Sequence, residues 1–408
     1  MEVMHRACAG LDVHQDTVVA CARVVVGGDV QQEVETFATT TQGLLDLCDW
    51  LAERGCSHVA MESTGVYWKP VWHVLENSFE LVLANAAHIR NVPGRKTDVN
   101  DAMWIADLLA HGLIRASFVP PTPVQELRDL TRTRKQLVRE IAQHTQRIQK
   151  TLEDANIKLT GRISNVLGQS GRAILDALIA GETNPEKLVE LTTGRLKASR
   201  SELVAALRGR VREHHRFLLK LHLGQIEALQ MAVRDVEARI GETLRPFRER
   251  ADLLITIPGV SDTVAHVIVS EIGIDMSRFP SAGHLVSWAG LCPRSDESAG
   301  KRRSTRIRKG APWLKTVLVQ AAWGATRKKG SYLRAQFHRI KSRRGTMKAI
   351  IAVAASILTA AYYMLRDGVA YNELTDQYFD KRDHAKIAKR LIRRLNDLGL
   401  QVEVKAAA

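Results

Sequence analysis

Residues 7–40 read ACAGLDVHQDTVVACARVVVGGDVQQEVETFATT, and the fold of the N-terminal part turns on this stretch. The segments ACAGLDV, DTVVACARVVV and VQQEVETFATT are rich in β-branched residues and short enough to be strands, and His14-Gln15 makes the turn between the first two. Working outward, GLLDLCDWLAERG has the spacing of an amphipathic helix that ends at Gly55, and SHVAMES reads as a fourth strand. A helix follows near Val66 to Glu76, then a fifth strand in FELVLANA, then a helix predicted to start at Asp98. Three adjacent strands followed by alternating helix and strand describe a mixed sheet covered by helices.

This is the element order of a ribonuclease-H-like sheet. Beyond Pro123 the strand pattern disappears, so the expected fold class is α/β plus all-α. VQELRDLTRTRKQLVREIAQHTQRIQKTL forms a long helix with an apolar stripe through Leu127, Leu130, Leu137, Ile141, Ile148 and Leu152. A second long helix carries Leu219, His222, Ile226, Leu229, Val233, Val236, Ile240 and Thr243 at alternating spacings of three and four, a coiled-coil pattern. At the usual rise per residue that stripe spans about 36 Å. The spacing also fits an ordinary bundle core, with the two helices pairing inside one chain. LLITIPGVSDTVAHVIVSEIG resembles a helix-hairpin-helix with Ser261 in place of its second glycine, and a purely structural helical hairpin reads equally well. KRDHAKIAKRLIRRLNDLGL is a short basic helix. The predicted divisions are 1–122, 123–250, 251–370 and 371–408.

At 408 residues the chain suits two or three domains. Cys8, Cys21, Cys48, Cys56 and Cys292 are scattered and odd in number, which speaks for reduced thiols and against a structural zinc site. Asp12, His14 and Asp16 interrupt the only early apolar stretch, so no signal peptide is expected. The run AIIAVAASILTAA, Ala349 to Ala361, reads as a buried helix too short to cross a bilayer. The net charge of +15 is split: residues 1–120 hold eight Lys and Arg against fifteen Asp and Glu, a balance of −7, which leaves +22 on the other 288. From Lys301 to Ile350 there are sixteen Lys and Arg and no acid. A surface of one sign over that length suits a polyanion such as nucleic acid.

Two constellations carry chemistry. In KTDVNDA, Asp98 and Asp101 are three apart, hence on one helical face, and that face continues through Ile105 and Leu108. One reading is a favourable acidic first turn capped by Thr97. The other is a metal site: Asp12 on the first strand and Glu62 at the end of the fourth would converge with this pair. Carboxylates without clustered Cys or His select Mg²⁺ or Mn²⁺, and paired ions stabilise the attacking and leaving oxygens of a phosphodiester displacement. The second constellation is GLCPRSDESAGKRRSTRIRKGAPWLK, with Ser295, Ser298 and Ser304 among small residues and, from Lys301 to Lys309, six basic residues, Lys301, Arg302, Arg303, Arg306, Arg308 and Lys309. Spacing alone makes this a phosphate-binding loop. Arg327, Lys328, Lys329, Arg343 and Arg344 extend the basic surface.

GLDVHQD, AMESTGVYW, KTDVNDA, TIPGV, LVSWAGLCPRSDESAGKRR and RKGAPWL, in this order along nearly the whole chain, resemble the DEDD transposases of the insertion-sequence family one-ten, in its eleven-eleven branch. The resemblance implies a RuvC-like N-terminal domain, a coiled-coil middle and a helical C-terminal transposase domain. It places the acidic tetrad on Asp12, Glu62, Asp98 and Asp101 and the serine nucleophile on Ser298, with Ser295 the looser match. It further implies a Mg²⁺-dependent recombinase of the bacterial cytoplasm and nucleoid. Such an enzyme acts on element-end and target DNA, is directed by a structured guide RNA, works as a dimer assembling to a tetramer, and has no membrane partner. Roles for His14 and Lys96 in proton transfer are left open. A metal-dependent junction-resolving nuclease needs the tetrad but no serine. An actin-like or sugar-kinase ATPase would need glycine where His14 and Gln15 stand, and a nucleic-acid-packaging protein would need no tetrad.

Overall fold

The structure is a computed structural model that describes residues 3–63, 65–85, 89, 101–194, 197–293, 296–304, 306–308, 310–379 and 384–401. The chain divides into two compact units, Met1–Val119 and Pro120–Ala408.

The first unit is a five-stranded mixed sheet. Its strands are β1 (Ala7–Val13), β2 (Thr17–Val26), β3 (Asp29–Ala38), β4 (His58–Ser63) and β5 (Glu80–Leu83), in the order β3-β2-β1-β4-β5. β1, β2 and β3 are antiparallel neighbours, whereas β4 and β5 continue parallel to β1. The crossovers are α1 (Thr41–Glu53), begun by Thr40, whose hydroxyl accepts from the Gly43 amide at 3.2 Å, and α2 (Trp68–Leu75). Both cover one face of the sheet, where Leu11, Val13, Val59 and Met61 pack with Leu47, Leu51, Val71 and Leu75. α3 (Asp101–Ala110) covers the other face, burying Ala102, Ile105, Ala106 and Leu108 against the sheet. β1, covered on both sides, therefore reads as an almost continuous buried run. Burial pushes the thiols of Cys8 and Cys21 up to about 12, so they stay protonated and pack as small apolar groups.

The second unit is mainly helical. α4 (Thr122–Asp154) pairs with α8 (Glu213–Thr243), and between them in sequence lie α5 (Gln169–Ala180), α6 (Pro185–Glu190) and α7 (Arg200–Leu207). These three close a core with the ends of the long pair: Ile148, Leu152, Ile174, Leu175, Leu203, Leu207, Leu219 and Leu223 are buried together. The stripe expected on α8 is the face turned away from solvent, and the long helices pair within one chain. The rest comprises α9 (Arg248–Ile255), α10 (Asp262–Ile272), α11 (Ala282–Trp288), α12 (Pro312–Ala325), α13 (Tyr332–Arg344), α14 (Thr346–Asp367) and α15 (His384–Asp397). A clamp ties α4 to α10: the buried Glu271 carboxylate accepts from Arg132 at 2.8 and 2.9 Å, and Arg128 donates to the carbonyls of Ser270 and Glu271.

Two expectations need correction. Strands do not vanish after Pro123: β6 (Asp296–Ser298) and β7 (Lys301–Ser304) form a two-stranded ribbon between α11 and α12. The apolar run from Ala349 is extended at both ends into α14, 22 residues, long and apolar enough to cross a membrane, although over half of its most apolar window is buried inside the protein. The Pro258-Gly259 turn packs closely on α12: a Cβ on Gly259 would stand 2.3 Å from the Ala321 carbonyl oxygen, while the outer side of Gly259 stays exposed.

Candidate functional site

β1 and β4 pair in parallel with Asp12 directly opposite Glu62. Register partners on neighbouring strands project to the same face. On this face Cys8, Gly10 and Ala60 precede the two acids, and α3 lies over them. A Cβ on Gly10 would meet the Ala102 carbonyl oxygen at 2.2 Å and the Ala106 nitrogen at 2.4 Å, so only glycine lets α3 descend this close. Two further contacts hold the helix: the Cys8 thiol donates to the Ala106 carbonyl at 3.7 Å, and the buried Arg23 guanidinium donates to Asp107 at 2.8 Å.

The docked helix delivers Asp101, its first residue, into the electrostatic reach of Asp12. Burial raises the Asp12 carboxyl above its ordinary value; His14, with Nε2 3.3 Å from Oδ2, opposes this, and the like charge of Asp101 adds to it. Tyr67 Oη donates to Gln15 Oε1 at 3.2 Å, tying the segment after β4 to the turn after β1 at the rim. Among the described residues no three of His, Cys, Asp or Glu close into a complete metal cage. Asp98 and Lys96 lie outside the described residues, and so does the predicted helix start at Asp98. Gly10, Arg23, Asp107 and Tyr67 do not stand out in the sequence as site residues. A glycine inside a strand pattern is the signal that points to one of them.

The second constellation is separate along the chain. In the ribbon, Ser298 pairs with Lys301, Glu297 with Arg302 and Asp296 with Ser304, and the reversal is Ala299-Gly300. Both turn residues are left-handed, φ +50° and +73°, as a tight two-residue hairpin requires. Glycine adopts this freely, whereas Ala299 holds it at a cost of about 1 kcal/mol. Ser298 is thus the last strand residue before a strained reversal; Ser295 and Lys309 lie outside the described residues. Lys301, Arg306 and Arg308 are exposed on or beyond the ribbon, with Arg302 and Arg303 in β7. Arg327, Lys328 and Lys329 are exposed in the turn after α12, and Arg343 and Arg344 are exposed in the last turn of α13.

A family model for DEDD transposases of the IS110 type, described as a transposase, matches residues 9–157, and a second, described as the Transposase IS116/IS110/IS902 family, matches residues 251–338. A pilin gene-inverting protein of Moraxella bovis is 23% identical over 398 residues, 93% of this chain and all of that protein. A protein of the same name from Moraxella lacunata is 34% identical over 139 residues, 33% of this chain and 40% of its own length. The insertion element IS110 uncharacterized 43.6 kDa protein of Streptomyces coelicolor is 30% identical over 140 residues, 34% of each chain. The first model covers the sheet with Asp12, Glu62 and Asp101, and the second covers the ribbon with Ser298. The chain belongs to the IS110-type family of DNA transposases and recombinases.

Proposed function

We propose that this protein is a guide-RNA-directed DNA recombinase in which a RuvC-like, ribonuclease-H-like sheet carries the metal-binding acids and Ser298 is the nucleophile. The observation that supports it most is the pairing of Asp12 with Glu62 under a helix that Gly10 admits closely enough to bring in Asp101. A divalent cation fits this donor set. The groups are hard oxygen donors, and burial, with a smaller contribution from the charge of Asp101, raises the Asp12 carboxyl, a disfavoured negative charge that a cation stabilises. Asp12, Glu62 and Asp101, with Asp98 as the fourth acid, would hold Mg²⁺ or Mn²⁺, which supplies charge neutralisation at the scissile phosphate.

In this reading Ser298 Oγ attacks the phosphorus. The bond from Oγ to phosphorus forms, one phosphorus–oxygen bond to deoxyribose breaks, and the proton lost by the serine is balanced by one gained on the released deoxyribose oxygen. The strained Ala299 fixes the backbone beside the nucleophile, and the exposed cations of the ribbon favour the dianionic transition state. A subunit's acids would serve the Ser298 ribbon of another, in a dimer that assembles to a tetramer on DNA. Sequence choice would rest with a guide RNA, the protein holding backbones through its basic surface.

The experiment is to incubate the protein with element-end DNA and Mg²⁺, then separate the products under denaturing conditions. Ser298→Ala is expected to abolish a covalent protein–DNA adduct that Ser295→Ala retains. Strand cleavage that persists in Ser298→Ala with no adduct in the wild type favours the second reading, a junction-resolving nuclease. Sequencing RNA that copurifies with the protein expressed from its native flanks tests guidance, which predicts one discrete flank-encoded species.

A further inference from the structure

A cavity at the root of the long helical pair plays no part in the chemistry above. It encloses about 390 Å³ between α4, α8, α10 and α12, toward the lower end of the range for ligand pockets. Lys135 and Arg139, one turn apart on α4, line it together with His266. The carboxylate in its lining, Glu237, is already held by Arg134 at 2.6 Å, and no acid stands within ion-pair distance of Lys135 or Arg139 among the described residues. Burial lowers the Lys135 ammonium, the nearby Arg139 lowers it further, and Glu271 opposes them; the ammonium also stands 5.1 Å from the Trp313 ring. A half-buried Lys135 ammonium beside the exposed Arg139 guanidinium, neither of them in an ion pair among the described residues, is an arrangement that an anion relieves.

The rest of the lining says which anion. Val138, Ile240, Val267 and Val317 give the cavity an apolar side, and Thr263 and Gln320 add hydrogen-bonding groups. Burial lowers the basicity of His266, favouring the neutral imidazole with one donor and one acceptor. A bare phosphate has no use for the apolar side, and an apolar ligand has none for the cations. We propose that this cavity receives a single nucleotide extruded from bound nucleic acid, its phosphate between Lys135 and Arg139 and its base against Val138, Ile240 and Val317. The proposal rests on the nucleic-acid binding proposed above and adds to it a pocket that stabilises an unstacked nucleotide, offsetting the free energy that extrusion costs.

The test uses the full chain and two labelled duplexes, one fully paired and one identical except for a single unpaired nucleotide, with affinities read by fluorescence anisotropy. The wild type is expected to prefer the duplex with the unpaired nucleotide by about tenfold, the worth of one charge-assisted hydrogen bond to phosphate. Lys135→Gln with Arg139→Gln should erase that preference and leave paired-duplex affinity unchanged. Val138→Trp, which fills the cavity from an exposed position, should do the same and guards against a charge variant that misfolds. Calorimetric titration with thymidine monophosphate separates the sources. Heat that the double variant loses, without any duplex preference, assigns the same chemistry to a free nucleotide. No preference and no mononucleotide heat, or a preference that survives both variants, overturns the pocket. Failure to bind either duplex overturns the nucleic-acid reading itself.

Discussion

Gly10 and Ala102 meet backbone to backbone: a Cβ on Gly10 would stand 2.2 Å from the Ala102 carbonyl oxygen. No rotamer change relieves such a clash, because both sides are main chain. Gly10→Ala must push α3 off the sheet, and its cost is expected to be about 1–3 kcal/mol, as for other overpacked cores. Urea unfolding measures that cost. DNA cleavage should fall further than the stability loss explains, because Asp101 moves away from Asp12. Full activity in Gly10→Ala would mean that the height of α3 is irrelevant to the chemistry.

Divalent ions should stabilise the sheet unit through the same acids. Millimolar Mg²⁺ is expected to raise the melting temperature of the wild type by a few degrees, as any ligand selective for the folded state does. EDTA should reverse the gain. Asp12→Asn and Glu62→Gln should melt at a temperature indifferent to Mg²⁺. An equal response in all three proteins would place the ion elsewhere.

The long helical pair is expected to loosen in mild acid. His144 Nδ1 and His222 Nδ1 are 3.2 Å apart across α4 and α8, so at least one of them must be neutral to share a proton. Burial lowers His222 below its ordinary value, and His144 and Arg147 lower it further. The unfolded chain then takes up the proton at a higher pH than the folded one. Stability from this group is complete above the unfolded value, about 6.5, and declines as pH falls below it. Protection factors for hydrogen exchange on α4 and α8, corrected for the intrinsic pH dependence of exchange, should fall between pH 7 and 5, and His222→Gln should flatten that dependence. A wild-type profile no steeper than that of the variant would show that the pair does not titrate on unfolding.

The exposed arginines at the end of α13 should act on nucleic acid as point charges. Arg343→Gln with Arg344→Gln is expected to lower the slope of log affinity against log salt by about two, roughly one for each phosphate left without its arginine. Affinity should fall to a similar degree for unrelated sequences. A loss confined to one sequence would instead make them base readers.

The sheet is legible in the sequence because its strands carry enough β-branched residues to announce themselves, and strand neighbourhood alone brings Asp12 beside Glu62. What makes the site compact is not legible. Gly10 contributes by lacking a side chain, and its meaning depends on a helix ninety residues away. The ribbon around Ser298 has the sequence of a loop, because three- and four-residue strands leave no periodicity to detect. α5, α6 and α7 also leave little trace, since each is short and gains its stability from the core shared with α4 and α8.

α4 runs 33 residues with its only proline in the first turn and no glycine, about 50 Å of uninterrupted rod. Its near end is bolted to α10 by Arg128 and Arg132, and its far end is embedded beside α8. Such a shaft has no proline or glycine hinge of its own, so its two ends are held at a fixed separation.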